Sequence, residues 1–223
     1  MKYKIDLHVH TNFSKDSNIS IDELYKKSIL SGINVIAITD HNTVKGAMLA
    51  KDRIKDIEVI IGEEILTSQG EIIGLFLQEE IKPYMSASET IKQIKAQKGL
   101  VYLPHPFSFF RSALKNSAKK TLLDEFDIIE SFNAKSLPYE NFLAREFATK
   151  NRKVVAAGSD AHSIEGFGET YSYVETELSV SRENLVKILS EAKIVGKYFF
   201  LENIFYKISA SFQKKKGVIK CKK

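Results

Sequence analysis

The 223-residue sequence is poor in the features that mark secreted, membrane-spanning or repetitive chains. It has one cysteine, Cys221, which cannot form an internal disulfide, so a disulfide-stapled fold is excluded and a reducing compartment is expected. No run of 18 apolar residues occurs, and "MKYKIDLHVH" turns polar before an apolar signal segment could form, so a cytoplasmic chain with no transmembrane segment is expected. No internal repeat or low-complexity linker precedes the C-terminus. Net charge of one sign is also missing from the body. The formal +5 arises in the last ten residues, "KKKGVIKCKK", which hold six lysines, and the remainder has 27 basic against 28 acidic residues. A whole-surface nucleic-acid footprint is therefore not expected. With 43% hydrophobic residues the chain can bury one sizeable core.

Short β-branched runs alternate with amphipathic segments. "YKIDLHVH", "VIAITDH", "VIIGEEI", "IIGLFL", "LVYLPHP", "DIIESFN", "VVAAGSDAH" and "TYSYVE" read as strands. "SIDELYKKSILSG" reads as a helix with a Ser20–Glu23 capping box, an apolar face of Ile21, Leu24, Ile29 and Leu30, and Gly32 as its stop. "SASETIKQIKAQKG" repeats the design, with Ser86 or Ser88 as cap and Gly99 as stop, and "YENFLAREFATKN" and "SRENLVKILSEAK" are further helices. The alternation predicts a mostly parallel sheet with helices outside. Residues 1–200 are expected to form this unit, and 201–223 a C-terminal amphipathic helix with Ile204, Phe205, Ile208 and Phe212 on one face, ending in the lysine tail. Docking of that helix on the body is the expectation. Weak contact of its lysines with nucleic acid or an anionic membrane is the alternative.

All five histidines, His8, His10, His41, His105 and His162, fall at expected strand ends, with Asp40, Glu64, Glu130 and Asp160 nearby. Functional groups gather beyond the carboxyl ends of parallel strands, and convergence from so many strands favours a barrel over an open sheet. In a strand His8 and His10 share a face, with Leu7 and Val9 opposite. A mixed set of imidazoles and carboxylates suits zinc, manganese or iron, and its size exceeds the four ligands of one zinc, so two or three divalent ions are expected. Two metals about 3.5–4 Å apart can lower the pKa of a bridging water and clamp phosphoryl oxygens.

"DLHVHTNFSKDS", "AITDHN", "GEEI", "PHP", "IESFN" and "GSDAHS" follow the order and approximate spacing of the PHP (polymerase and histidinol phosphatase) family, and the chain resembles that family from about residue 3 to 170. The resemblance implies a distorted (β/α)7 barrel of the α/β class, a metal centre at the carboxyl ends of its strands, and phosphoesterase activity. Carried over position by position, it implies that His8, His10, Asp16, His41, Glu64, His105, Asp160 and His162 are metal ligands. Glu71 in "GEIIGL" stands where longer relatives have a histidine and is added as a ligand. Glu130 is assigned as a ligand or a group behind one, and Asp40 as a group orienting an imidazole. Of "GEEI", only Glu64 is expected to face the centre.

Arg111, Lys15 and Asn133 are the candidates to bind substrate phosphate, with Lys135 as an alternative cation, and Asp160, His162 and His41 the candidates to move protons. Phe107, Phe109 and Phe110 could stack on a base but are expected to pack. The reading that follows is hydrolysis of a phosphate mono- or diester of a small metabolite or nucleotide by a metal-activated hydroxide. The alternative from another class is a silent, metal-stabilised scaffold recruiting a partner through its basic tail. A C–N-cleaving amidohydrolase would want a bridging lysine at a strand end, and none is evident there.

Overall fold

The computed structural model describes residues 1–199. The helix and lysine tail expected over 201–223, with Cys221, lie outside the described residues. The strands are β1 (Lys2–Val9), β2 (Val35–Ile38), β3 (Glu58–Thr67), β4 (Gly70–Leu75), β5 (Leu100–Leu103), β6 (Ile128–Asn133), β7 (Val154–Gly158), β8 (Tyr171–Glu175) and β9 (Lys193–Val195). The helices are α1 (Ile21–Ser31), α2 (Lys45–Arg53), α3 (Ala87–Ala96), α4 (Asn116–Thr121), α5 (Pro138–Lys150) and α6 (Leu185–Ser190). The sheet runs β7-β6-β5-β4-β3-β2-β1-β8-β9. Just beyond β7, Asp160 N–H donates to His8 O at 2.7 Å and His10 N–H to Ala161 O at 3.1 Å, which brings the far edge onto β1 and nearly closes the sheet into a barrel.

Two features depart from a regular (β/α)7 barrel. Among the described residues there are nine strands rather than seven, because β8 and β9 continue the sheet past the first half of β1, from Lys2 to Ile5. The chain also forms a hairpin, β3–β4, so β4 runs antiparallel to both neighbours. The hairpin turns at Gly70, where φ is 124° and an added Cβ would collide with the Ala113–Leu114 backbone.

Local chemistry fixes most boundaries. α1 carries the Ser20–Glu23 capping box and stops at left-handed Gly32, φ 71°. Its apolar face is narrower than expected: Ile21 and Leu24 are buried, but Ile29 and Leu30 face solvent. Ser86, not Ser88, caps α3, and the left-handed residue after it is Lys98, φ 60°, while Gly99 fits against Leu75 O and Ile94.

The helices cover the sheet with distinct apolar clusters. Val9, Ile36 and Ile38 pack with Ile21 and Leu24 of α1 and Ala47 and Ala50 of α2. Ile72, Val101 and Leu103 pack with Ile91 and Ile94 of α3. Ile5, Leu7, Ala37, Ile60 and Ile128 pack with Leu185, Ile188 and Leu189 of α6. Leu7 and Val9 therefore lie in different clusters, against simple alternation. The β1–β2 register shifts between Asp6 and Val9, and this bulge re-aims the chain at His8.

Candidate metal centre

The end of β1 delivers His8 and His10 side by side, with Nε2 to Nε2 3.1 Å. Both are fully buried, and each is held from behind. His8 Nδ1 donates to Glu130 Oε1 at 3.0 Å. His10 Nδ1 donates to Ser14 Oγ at 3.1 Å, and the Ser14 hydroxyl in turn donates to Asp40 Oδ1 at 2.7 Å. Asp40 also accepts from Thr11 N–H and Oγ–H at 2.7 and 2.6 Å. Asp40 thus orients His10 through Ser14, a relay that the bare sequence does not disclose because serines are common in such turns.

Glu64 lies inside β3 rather than at its end, because the hairpin prolongs that strand beyond the barrel rim. Its Oε2 is 3.5 Å from His8 Nε2, 3.4 Å from His10 Nε2 and 3.1 Å from His41 Nδ1, and its Oε1 is 2.9 Å from His105 Nε2. Glu71, on β4, brings Oε2 to 3.6 Å from His105 Nε2. Asp160 Oδ1 is 3.8 and 3.6 Å from the His8 and His10 Nε2 atoms and 3.4 Å from His162 Nδ1. Asp16, exposed on its loop, bridges His41 and His162 from outside, at 3.6 and 3.3 Å. Glu63 points away, accepting from Ile81 N–H at 2.9 Å.

Four triads can each surround an ion: His8–His10–Glu64, His8–His105–Asp160, His10–His41–His162 and His41–Glu64–Glu71. Glu130 belongs to none of them. Besides His8 it accepts from Tyr102 Oη, His105 N–H and Asn133 Nδ2, at 3.0, 2.6 and 2.9 Å, so both its oxygens are engaged. Of the two roles expected for Glu130, these contacts match a group behind His8, of the kind that fixes a ligand imidazole's orientation. Gly158 is required for this pair: a Cβ there would overlap Glu130 Oε1 and come within 2.6 Å of His8 Cβ.

Electrostatics fit this donor set to cations. Burial opposes the charged form of His8, yet Glu130, Glu64 and Asp160 override it and hold its pKa well above the ordinary value. Burial, then the neighbouring His162, hold that of His10 well below. The two Nε2 atoms face each other where converging donors would grip a metal. Against burial, hydrogen bonds to Asp16 and Glu64 raise His41 to about 11. Burial and then Glu64 raise Glu71 to about 8. His105 and Asp160 also adopt φ of 25° and 52°, a backbone strain of about 1–3 kcal/mol each that concentrates at functional positions.

A cavity of about 510 Å³ opens over the cluster, lined by Asp16, His41, Glu71, His162, Arg111 and Lys135 among others. Arg111 pairs with Asp160 and donates to Asn133 Oδ1 and Ser136 Oγ at 2.9 and 2.7 Å. Asn133 Nδ2 donates to Asp160 at 3.2 Å. Lys15 is exposed and does not line the cavity, so its expected contact with substrate is not supported by position. Lys135, the alternative cation, stands two residues past β6, a strand end where no lysine is evident from the sequence. Its Nζ is 3.1 Å from Asp160 Oδ1 and 3.0 Å from His162 Nδ1. No helix among the described residues is long and apolar enough to cross a membrane.

The chain resembles known proteins in sequence and in fold. The chain is 35% identical over 216 residues to the uncharacterized protein MJ0417 of Methanocaldococcus jannaschii, covering 90% of this chain and 86% of that one. It is 40% identical over 93 residues to a 5'-3' exoribonuclease of Haemophilus influenzae, covering 39% of this chain and 33% of the relative. The lesion-specific endonuclease Q of Pyrococcus furiosus superposes with a TM-score of 0.66 at 16% identity, over 87% of this chain and 58% of that one. The fold is that of PHP-like metal-dependent phosphoesterases. The PHP domain itself matches residues 6–214, and the chain belongs to the PHP domain family.

Proposed function

We propose that this protein is a metal-dependent hydrolase of phosphate esters, acting on a mono- or diester of a small metabolite or nucleotide. The observation that carries this reading is the joining, in one cavity, of a buried His/Glu/Asp cluster with two cations, Arg111 and Lys135. Cations beside a metal cluster suit an anionic substrate with several oxygens to hold. The likeness to an exoribonuclease over 93 residues supports nucleotides as one substrate class.

His8, His10, Glu64, Asp160, His105, Glu71, His41, His162 and Asp16 would hold two or three ions of zinc, manganese or iron. When bound, such ions lower the pKa of water towards about 7 and neutralise charge on phosphoryl oxygens. Glu130 and Ser14 keep His8 and His10 turned inward. Arg111 binds the phosphate with its fork of N–H donors and Lys135 as a point charge, while Asn133 steers Arg111 through its amide oxygen. Asp160, His162 and His41 border the cavity, where they hold a proton from attacking water or return one to the leaving oxygen. Lys135 serves here as a cation beside Asp160, a different use from the bridging lysine of C–N hydrolases.

The test is hydrolysis of p-nitrophenyl phosphate and bis(p-nitrophenyl) phosphate by protein stripped with chelator and reloaded with manganese or zinc. Turnover should appear only on reloading and vanish in the His8→Ala/His10→Ala variant. Turnover surviving in that folded variant would refute the reading.

A further inference from the structure

The loop 106–115 carries three phenylalanines, and the structure divides them. Phe107 is spent on packing: its ring meets Phe147 edge-on at 5.6 Å, and Lys119 Nζ lies 3.9 Å from its centroid. Phe109 and Phe110 contribute nothing comparable, being 72% and 78% exposed. Large aromatic side chains left in water forgo burial that would stabilise the fold, so an adjacent exposed pair calls for a reason.

Their place supplies one. Phe110 lines the metal cavity beside Arg111. The loop carrying them is tied down at several points. Ser108 N–H donates to His105 O at 3.1 Å, and Glu71 N–H donates to Ser112 O at 2.7 Å. Phe109 N–H donates to Oε1 of the buried Glu140 at 2.8 Å, while the other oxygen of Glu140 accepts from Leu137 N–H at the start of α5. That same turn exposes Tyr139 and Phe142, whose rings stack with centroids 6.4 Å apart. Phe110 is therefore held at the cavity, next in the chain to Arg111, whose guanidinium faces Asp160, and the exposed Phe109 adjoins it in sequence.

Resting on the phosphoesterase reading, the geometry points to a base-stacking site: Phe109 and Phe110 receive the nucleobase of a nucleotide whose phosphate is held by Arg111 over the metal cluster. Every base has a π-face, so such a platform selects nucleotides over sugar phosphates without reading sequence. The cavity volume lies in the range of about 300–1,000 Å³ typical of small-molecule sites, room for one nucleotide.

The test is calorimetry of the metal-loaded protein with phosphonate analogues of AMP and of ribose 5-phosphate, whose P–C bonds resist hydrolysis. Wild type should bind the AMP analogue more tightly. The Phe109→Ala/Phe110→Ala variant should lose about tenfold for it and keep its affinity for the ribose analogue. Phe110→Trp should retain AMP-analogue affinity where Phe110→Leu does not. Equal affinity of wild type for both ligands, equal losses for both, or no loss for either would overturn the base site. These affinities need no turnover, so a protein that binds in this base-dependent way yet hydrolyses no phosphate ester would contradict the proposed function while leaving the base site standing.

Discussion

His8 Nδ1 donates a 3.0 Å hydrogen bond to Glu130 Oε1, which turns the opposite nitrogen of the ring towards His10, Glu64 and Asp160. On the proposed reading Glu130 would act on metal affinity without touching metal. Glu130→Gln retains shape and loses the anionic acceptor, and is expected to weaken metal binding by about 10–100-fold. Competition against a chelating dye measures this, and an unchanged affinity would remove Glu130 from the centre.

Gly158 tests the same pair sterically. Gly158→Ala pushes a methyl group into the Glu130 carboxylate and towards His8. Overpacking of this kind costs about 1–3 kcal/mol, and here it should also lower bound metal. Urea unfolding with metal analysis on the same variant would find both losses together.

Arg111 contacts Asp160, Asn133 and Ser136, and a lysine cannot reproduce that fork. Arg111→Ala should raise KM for phosphate esters by about tenfold or more, about 1.4 kcal/mol per factor of ten, and Arg111→Lys should recover little of it. Steady-state kinetics that show a full lysine rescue would mean that only the charge matters.

Lys119, which is not a candidate ligand, gives a pH dependence of stability. Buried under the loop, it donates to Pro106 O, and burial pushes its pKa down to about 8. In the unfolded chain the value is about 10.4. Between these values the unfolded state binds more protons, so the stability of the folded state rises with pH from about 8 to 10.4, and the penalty for charged Lys119 is complete below that window. Lys119→Met should flatten this rise, which denaturant midpoints at pH 7 and 10 would detect.

Much of the centre was legible because its chemistry is written in rare residues. Five histidines in 223 residues, each at or just past a strand, can be located from strand periodicity alone. What escaped depended on tertiary register or on common residues. The bulge that separates Leu7 from Val9 arises from pairing between β1 and β2, not from either segment. Ile29 and Leu30 fit an apolar periodicity, but among the described residues no second layer covers that side of α1. Ser14, Tyr102 and Ser136 complete the site as ordinary hydroxyls whose partners come from distant segments. Lys15 and Lys135 look alike in sequence, and only the turn after β6 aims one of them at Asp160.

The most direct measurement is a titration of metal-stripped protein with manganese, following bound metal by inductively coupled plasma mass spectrometry and hydrolysis of bis(p-nitrophenyl) phosphate and p-nitrophenyl phosphate in the same samples. The account predicts that turnover rises with occupancy and saturates at two or three ions per chain. Turnover already complete in the stripped protein, or saturation with metal and no hydrolysis of either ester, would contradict it.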